Sequence, residues 1–207
     1  DNRINEKISK ITKIRKLEPT FKIGKKIRKF VLEGGAIDVN GMGSILLTKE
    51  CLLSKIQQRN FGIKKKDYEN MLSKFLNVNN FIWLNKGIKG DDTHGHIDDI
   101  CRFVSPDTIM TAIENNKKDV NYKILQTNLN ILKKAKNING KNFNLIKIPM
   151  PKAIFINKIR VPASYLNFLI CNKSVLLPLF NDKNDKAVIK IFKKFFKTRK
   201  VIGIDLS

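Results

Sequence analysis

The pattern of hydrophobic and polar positions divides the chain into repeated units. Residues 30–47 predict a hairpin with its turn at Asn40–Gly41. Residues 67–76 carry apolar side chains at the spacing of an amphipathic helix, with Asp67 as its N-cap. The apolar run FIWL at 81–84 predicts a short buried strand. The first unit therefore reads strand, strand, helix, strand.

The same order of elements returns twice along the chain. Strands are predicted at 97–104, 108–113 and 143–148 in the second unit, and at 164–171, 174–180 and 201–205 in the third, with helices at 121–136 and 185–196. This spacing favours a pseudo-symmetric array of ββαβ units over a doubly wound sheet. About three units, at 28–85, 96–149 and 162–206, are expected, and a closed ring would need more of them.

Length and composition indicate a folded domain without membrane segments. The chain has 207 residues, of which 42% are hydrophobic and 29% charged, so it can bury a core. It contains no linker rich in Pro, Ser or Gly, and we expect a single domain over residues 1–207. No apolar run approaches the roughly 20 residues that span a bilayer, and residues 1–16 lack the apolar core of a secretion signal.

The net charge of +23 would ordinarily point to nucleic acid or an anionic surface. However, the basic residues are 34 Lys and 7 Arg, whereas phosphate and base-edge recognition favours the fork of Arg. The lysines are scattered among abundant Asn and Ile, the composition that an AT-rich genome supplies. We therefore expect neither a nucleic-acid nor a membrane partner. The oligomeric state, a homo-oligomer included, stays open.

The three cysteines, Cys51, Cys101 and Cys171, are too far apart in sequence for a CxxC pair, and an odd number suits a disulfide framework poorly. Free cysteine is most often a small buried hydrophobe. We therefore expect three reduced, buried thiols and a cytoplasmic protein.

The densest polar cluster, GDDTHGHIDD at 90–99, contains four acids and both histidines of the chain. It follows a predicted strand, where sites are commonly built, although a solvated turn is the alternative. On an extended chain His96 and Asp98 would point to the same face, which predicts an imidazole and a carboxylate in one pocket. His94-x-His96 could instead hold Zn²⁺, but no third His and no paired Cys complete that ligand set.

A second cluster is formed by Glu33, Gly34 and Gly35. A charged residue between an apolar run and two glycines has two interpretations. It is either a solvated strand end with a bulge, or an inward-facing acid beside a backbone that a ligand can approach. The residues alone leave these two equal.

Several stretches carry the motifs of one enzyme family. EGG at 33–35, DVNGMG at 38–43 and LLTKECLL at 46–53 form the first group, and IWLNKG at 82–87 with GDDTHGHIDD at 90–99 the second. DVNYK at 119–123, LIKIPMP at 145–151, PASYLNF at 162–168 and RKVIGID at 199–205 follow in order. From about residue 28 onward the chain resembles the agmatine deiminases, of the bacterial-type peptidylarginine deiminase family in the pentein superfamily.

The resemblance implies a fold, an activity and site residues. The fold is the pentein, an α/β propeller of five ββαβ modules, present here as an incomplete ring. The activity is hydrolysis of agmatine to N-carbamoylputrescine and ammonia through a Cys-linked amidino intermediate, in putrescine biosynthesis, without metal or organic cofactor. Matched by position, His96 is the general acid/base, and Glu33, Asp92 and Asp98 are substrate-binding carboxylates.

The sequence also departs from the family pattern. The family nucleophile lies in a GGNIHC-like motif, and none of the three cysteines stands in its place. We therefore expect a fragment that lacks both ends and is inactive alone. His94 stands where the family has Asp or Asn, and Phe61 where it has Pro. The alternatives are a peptidylarginine deiminase-like enzyme and, from another class, a decayed gene product or a basic nucleic-acid-binding protein.

Overall fold

The structure, a computed structural model, describes residues 3–207. The expected domain of residues 1–207 includes Asp1 and Asn2, which lie outside the described residues. The α-helices are α1 (Ile4–Thr12), α2 (Lys49–Leu53), α3 (Lys65–Leu76), α4 (Asn121–Lys134) and α5 (Asp185–Phe195). Short 3-10 segments span Gly34–Ala36 and Ile97–Asp99. None of the helices in the described part has the length and apolarity that crossing a bilayer requires.

The strands run along the whole described chain. They are β1 (Thr20–Ile23), β2 (Lys26–Lys29), β3 (Ile37–Val39), β4 (Ser44–Thr48), β5 (Asn80–Leu84), β6 (Cys101–Ser105), β7 (Thr108–Ile113), β8 (Asn144–Pro149), β9 (Ile154–Ile156), β10 (Ile159–Val161), β11 (Leu169–Ile170), β12 (Ser174–Leu179) and β13 (Lys200–Asp205).

Three three-stranded sheets share one topology. Each begins with an antiparallel strand pair, and its middle strand also pairs in parallel with the last strand. A crossover that contains a helix joins the parallel strands, as the chain order requires. The orders are β3-β4-β5, β6-β7-β8 and β11-β12-β13. The predicted strand–strand–helix–strand order is confirmed in each unit.

The structure corrects the sequence prediction at the entrances to the sheets. Of the predicted hairpin over residues 30–47, only Ile37–Val39 and Ser44–Thr48 form strands, and Gly34–Ala36 is a 3-10 segment. Residues 97–99 likewise form a 3-10 segment rather than the start of a strand, and β6 begins at Cys101. Of the predicted strand 164–171, only Leu169–Ile170 is paired. Asp67 is not the N-cap of α3, because the helix begins two residues earlier and the Asp67 carboxylate accepts a hydrogen bond from Lys64 N at 2.9 Å. The elements α1, β1–β2, α2 and β9–β10 were not predicted.

The units are held together by apolar packing and by the partly buried ion pair of Arg102 and Asp38. One apolar cluster extends across the second and third sheets with α4 and α5, and another surrounds the first sheet with α2 and α3. Arg102 on β6 donates from Nε to Asp38 Oδ1 on β3 at 3.0 Å and from Nη1 to Phe168 O at 3.1 Å. Asp38 Oδ2 also accepts from Phe103 N at 2.5 Å. These contacts join the first strands of the first two sheets and the segment that precedes β11.

Candidate active site

A cleft of about 290 Å³ lies where the loops before β6 and β11 meet. Its lining comprises Asp91, Asp92, Thr93, His96, Asp98, Asp99, Pro162, Ser164, Asn167, Pro178, Phe180 and Leu206. Three of the predicted site residues therefore share one cavity, and the fourth, Glu33, contacts His96 beside it. Larger clefts of about 760 and 650 Å³ lie elsewhere and are lined by none of the four. The predicted site residues are therefore gathered at the smaller cleft.

The loop that carries His96 is organised by Asp91. One carboxylate oxygen, Oδ2, accepts hydrogen bonds from Gly95 N at 2.7 Å and His96 N at 2.9 Å, and Oδ1 accepts from Thr93 N at 2.8 Å. His94 is exposed and has a positive φ of 65°, a conformation that Asn and Asp also tolerate. The cluster is thus a turn with a defined backbone, and His94 does not line the cleft.

Glu33 is a partner of the His96 imidazole. Its Oε2 lies 2.7 Å from His96 Nε2, and the Arg59 guanidinium donates from Nε to Oε1 and from Nη2 to Oε2, each at 3.0 Å. Burial opposes ionisation of Glu33, but the hydrogen bonds with His96 and Arg59 outweigh it and hold the pKa of this carboxyl below its ordinary value. The inward-facing interpretation of Glu33 fits this geometry, with a carboxylate that orients the imidazole.

Asp98 presents an unused hydrogen-bond acceptor. Its Oδ1 is buried and has no hydrogen-bond partner among residues 3–207. Burial raises the pKa of Asp98, and the Asp91 carboxylate adds to the effect against the opposing influence of His96 and Arg102. A buried acceptor without a partner costs free energy, which a cationic donor would recover.

His96 and Asp98 lie close together, as the sequence had predicted. The prediction of an extended chain between them is wrong. His96 is extended, whereas Asp98 lies in the 3-10 segment that follows. The Gly35 backbone passes both: a Cβ atom there would lie 2.5 Å from His96 Nδ1 and 2.7 Å from Asp98 Oδ2. The close approach of Gly35 therefore sets the relative position of the imidazole and the carboxylate.

Sequence reasoning missed several residues of the site. Arg59 reaches Glu33 and also donates from Nη2 to Thr93 O at 3.0 Å. Asp99 is buried, its Oδ1 accepts from Asn167 Nδ2 at 3.1 Å, and burial raises its pKa to about 6. The pairings of Arg59 and Asp99 link positions 26 and 68 residues apart, which no local pattern reveals. Asp91 could have been recognised, because an Asp that caps the following N–H groups is a common turn device.

The three thiols occupy different environments. Cys51 and Cys101 are buried as expected, Cys171 is half-buried, and all three are free. The Cys51 sulfur lies within 4.8 Å of a ring nitrogen of His96 and a carboxylate oxygen of Glu33. Burial raises the pKa of the Cys51 thiol to about 11, and burial also raises the pKa of Cys101. A sulfur is therefore close to His96, but it is held protonated.

The comparisons with known proteins agree with these motifs. The family of Porphyromonas-type peptidyl-arginine deiminases matches residues 1–207. A Legionella pneumophila (strain Paris) protein described as "Putative agmatine deiminase" is 36% identical over 176 residues, which are 84% of this chain and 50% of that protein. The chain thus spans about half the length of the curated relatives it matches.

Solved structures of agmatine deiminases superpose on nearly the whole chain. The C. jejuni C315S agmatine deiminase with substrate bound has a TM-score of 0.83 and 34% identity, over 99% of this chain and 57% of that one. The agmatine deiminase of Enterococcus faecalis has a TM-score of 0.83 and 28% identity, over 99% of this chain and 58% of that one. The mixed α/β fold is that of these enzymes. The chain belongs to the family of Porphyromonas-type peptidyl-arginine deiminases, whose family model matches residues 1–207.

Proposed function

We propose that the protein acts as an agmatine deiminase, which hydrolyses agmatine to N-carbamoylputrescine and ammonia in putrescine biosynthesis. The observation that carries the proposal is the buried Asp98 Oδ1 without a partner, in a cleft whose other ionisable groups are three acids and His96. A guanidinium presents several N–H donors in a plane and matches such an acceptor. The agmatine deiminases among the relatives and superposed structures support this substrate.

We further propose that the three units form part of a pentein, an α/β propeller in which ββαβ modules surround a central site, within one domain over residues 1–207. The repeated sheet topology supports this arrangement. The superposition on agmatine deiminases supports it as well.

In this reaction Asp98 binds the guanidinium of agmatine and orients its carbon, and Asp92 at the cleft rim contributes further negative charge. A Cys thiolate attacks the guanidinium carbon, and His96 gives a proton to the departing nitrogen, which leaves as ammonia. His96 then takes a proton from water, which attacks the Cys-linked amidino carbon and releases N-carbamoylputrescine and the thiolate. Glu33, hydrogen-bonded to the imidazole, orients it for both transfers.

The nucleophile in this proposal is none of the three cysteines of the chain. A nucleophilic cysteine needs a depressed thiol pKa and access to the substrate. Cys51 is 1% exposed with its pKa raised to about 11, and Cys101 is 0% exposed with a raised pKa. Cys171 does not line the cleft. The thiolate is therefore assigned to another segment of the complete protein.

The substrate assignment is tested on the protein encoded by the complete reading frame that contains this chain. Agmatine and an arginyl peptide are supplied separately, and the products are identified by mass spectrometry together with ammonia release. We expect N-carbamoylputrescine from agmatine and no citrulline in the peptide. Citrulline formation in the peptide without turnover of agmatine would instead support a peptidylarginine deiminase, and inertness towards both would favour the decayed-gene alternative.

A further inference from the structure

Glu33, Cys51 and His96 bring three metal-ligating atoms to one point beside the cleft. A carboxylate oxygen, a thiol sulfur and an imidazole nitrogen each lie within 4.8 Å of the other two. The residues come from three separate elements: the loop before residues 34–36, helix α2, and the loop before residues 97–99. The cluster is therefore a product of the tertiary fold, and it differs from the His94-x-His96 arrangement considered from the sequence.

The sulfur and the imidazole are held on a common frame. Thr48 Oγ1 accepts a hydrogen bond from Cys51 N at 3.2 Å and donates one to Gly95 O at 2.5 Å, the residue before His96. The Glu33 side chain is the most exposed of the three, at 37%, and it can turn towards a cation once its hydrogen bonds with Arg59 are released. Two donors are thus prepositioned and the third is adaptable.

The donor set is selective for thiophilic cations. Thiolate, imidazole and carboxylate are ligands of Zn²⁺, with bonds of about 2.0–2.3 Å in a tetrahedron. Tetrahedral donors at those bond lengths are roughly 3.3–3.8 Å apart. Glu33 Oε2 and His96 Nε2 are 2.7 Å apart and must separate slightly, whereas the Cys51 sulfur already lies within 4.8 Å of both residues' ligand atoms. Mg²⁺ and Ca²⁺ require oxygen ligands, which this cluster does not supply in number.

We propose that Glu33, Cys51 and His96 form an inhibitory binding site for a thiophilic divalent cation of the Zn²⁺ class. On binding, the S–H bond of Cys51 breaks, its proton passes to solvent, and the sulfur lone pair forms the bond to the cation. His96 gives the lone pair of Nε2, the nitrogen that faces Glu33, to the cation. The imidazole can then no longer become the imidazolium that donates a proton to the departing ammonia. The binding stands independently of the proposed deiminase reaction, whereas its inhibitory effect rests on it.

Arg59 competes with the cation. Its guanidinium donates to both carboxylate oxygens of Glu33 and supplies positive charge beside the cluster. A cation must displace this fork from Glu33 and a proton from the buried Cys51 thiol, so its affinity is lower than that of a preformed site. Removing the guanidinium should therefore tighten binding, an effect opposite to that of removing a ligand.

The experiment is a titration of the 207-residue chain with Co²⁺, followed by displacement with Zn²⁺. Coordination by Cys51 should produce a thiolate-to-Co²⁺ charge-transfer band and intense d–d bands of a four-coordinate ion, both bleached by Zn²⁺. Cys51→Ser should remove the charge-transfer band, and His96→Gln should weaken binding at least about tenfold. Cys171→Ser and His94→Asn are matched controls and should leave the spectrum unchanged.

Arg59→Met is a second test, which does not depend on a variant that lacks a ligand being folded. We expect it to bind Co²⁺ roughly tenfold more tightly, because a unit positive charge is removed next to the site. The proposal is overturned if no thiolate band appears, if the band persists in Cys51→Ser, or if Arg59→Met binds no more tightly than the parent chain.

Discussion

The Gly35 backbone passes close to His96 and Asp98, and a single methyl group there tests the geometry. In Gly35→Ala the added Cβ would meet His96 Nδ1 at 2.5 Å and Asp98 Oδ2 at 2.7 Å, so backbone or side chains must shift. We expect a loss of stability of about 1–3 kcal/mol in urea denaturation, with displaced His96 resonances in NMR spectra. Gly34→Ala is the matched control, because no atom lies within 4 Å of its added Cβ. Equal effects of the two substitutions would contradict the close approach.

Substitutions of His96 and Asp98 are expected to change the kinetics of the complete enzyme in different ways. His96→Gln should lower kcat by about 10²–10⁴ with little change in KM, the usual loss for a general acid/base. Asp98→Asn should raise KM and lower kcat together, because in the proposed reaction the carboxylate both binds and orients the guanidinium. His94→Asn, at the exposed turn, should change either parameter little. Steady-state kinetics with folding checked by circular dichroism decide, and an indispensable His94 would refute the assignment of His96.

Asp99 predicts a pH dependence of stability. Burial raises its pKa from 3.8 to about 6, so between these values the folded state binds more protons than the unfolded state. The contribution of Asp99 to the free energy of unfolding is therefore largest below about pH 4. It falls by about 3 kcal/mol as the pH rises through 6. Asp99→Asn keeps the acceptor for Asn167 and should be more stable than the parent at pH 8, with the difference vanishing towards pH 4. A constant difference in urea denaturation across this range would be inconsistent with the raised pKa.

Single-residue chemistry was partly predictable. The density of acids and histidines predicted a site in the segment of His96 and Asp98, because few solvated turns concentrate such groups next to apolar strands, and the structure places both residues along one cleft. The sequence left open whether Glu33 faces inward or is solvated, since its partners Arg59 and His96 lie 26 and 63 residues away. Arg59 gave no signal for the same reason, as one arginine in a basic chain is not distinctive.

At the scale of elements, the spacing of apolar residues predicted those helices that pack one face against the core. Helices α3, α4 and α5 were found because one face of each is apolar and buried, as with Tyr68 and Leu72 on α3. The hairpin β1–β2 was missed because its residues are almost all exposed and alternate weakly. The entrances to the sheets were misread as strands, since their side chains are placed by contacts between units rather than by pairing.

Those contacts between units give a prediction for Arg102. Arg102→Met would leave Asp38 buried with only the Phe103 N–H as a hydrogen-bond donor, and an uncompensated buried charge costs about 3–5 kcal/mol. We expect a loss of this size in urea unfolding followed by the fluorescence of Trp83, the one tryptophan of the chain. Arg28→Met on the exposed strand β2 is the control and should change stability by less than ~0.5 kcal/mol. If the two variants are equally stable, Arg102 does not join the units.

At the scale of the whole molecule, charge is distributed unevenly. The chain carries a formal net charge of +23, yet the cleft is lined by four aspartates and no Lys or Arg. A cationic substrate is therefore repelled by the molecule as a whole and attracted at one place. The excess of lysine makes the molecule as a whole positively charged, whereas the aspartates make the cleft locally negative.

The last prediction concerns the 207-residue chain as a catalyst. We expect it to release no ammonia from agmatine above a blank, although a sulfur lies within 4.8 Å of a His96 ring nitrogen. With the pKa of the Cys51 thiol near 11, the thiolate fraction at neutral pH is on the order of 10⁻⁴, and the sulfur is buried away from solvent. Cys51→Ser should therefore behave like the parent chain in the ammonia assay. Release of ammonia that Cys51→Ser abolishes would make Cys51 a nucleophile, because burial would then have failed to keep it protonated.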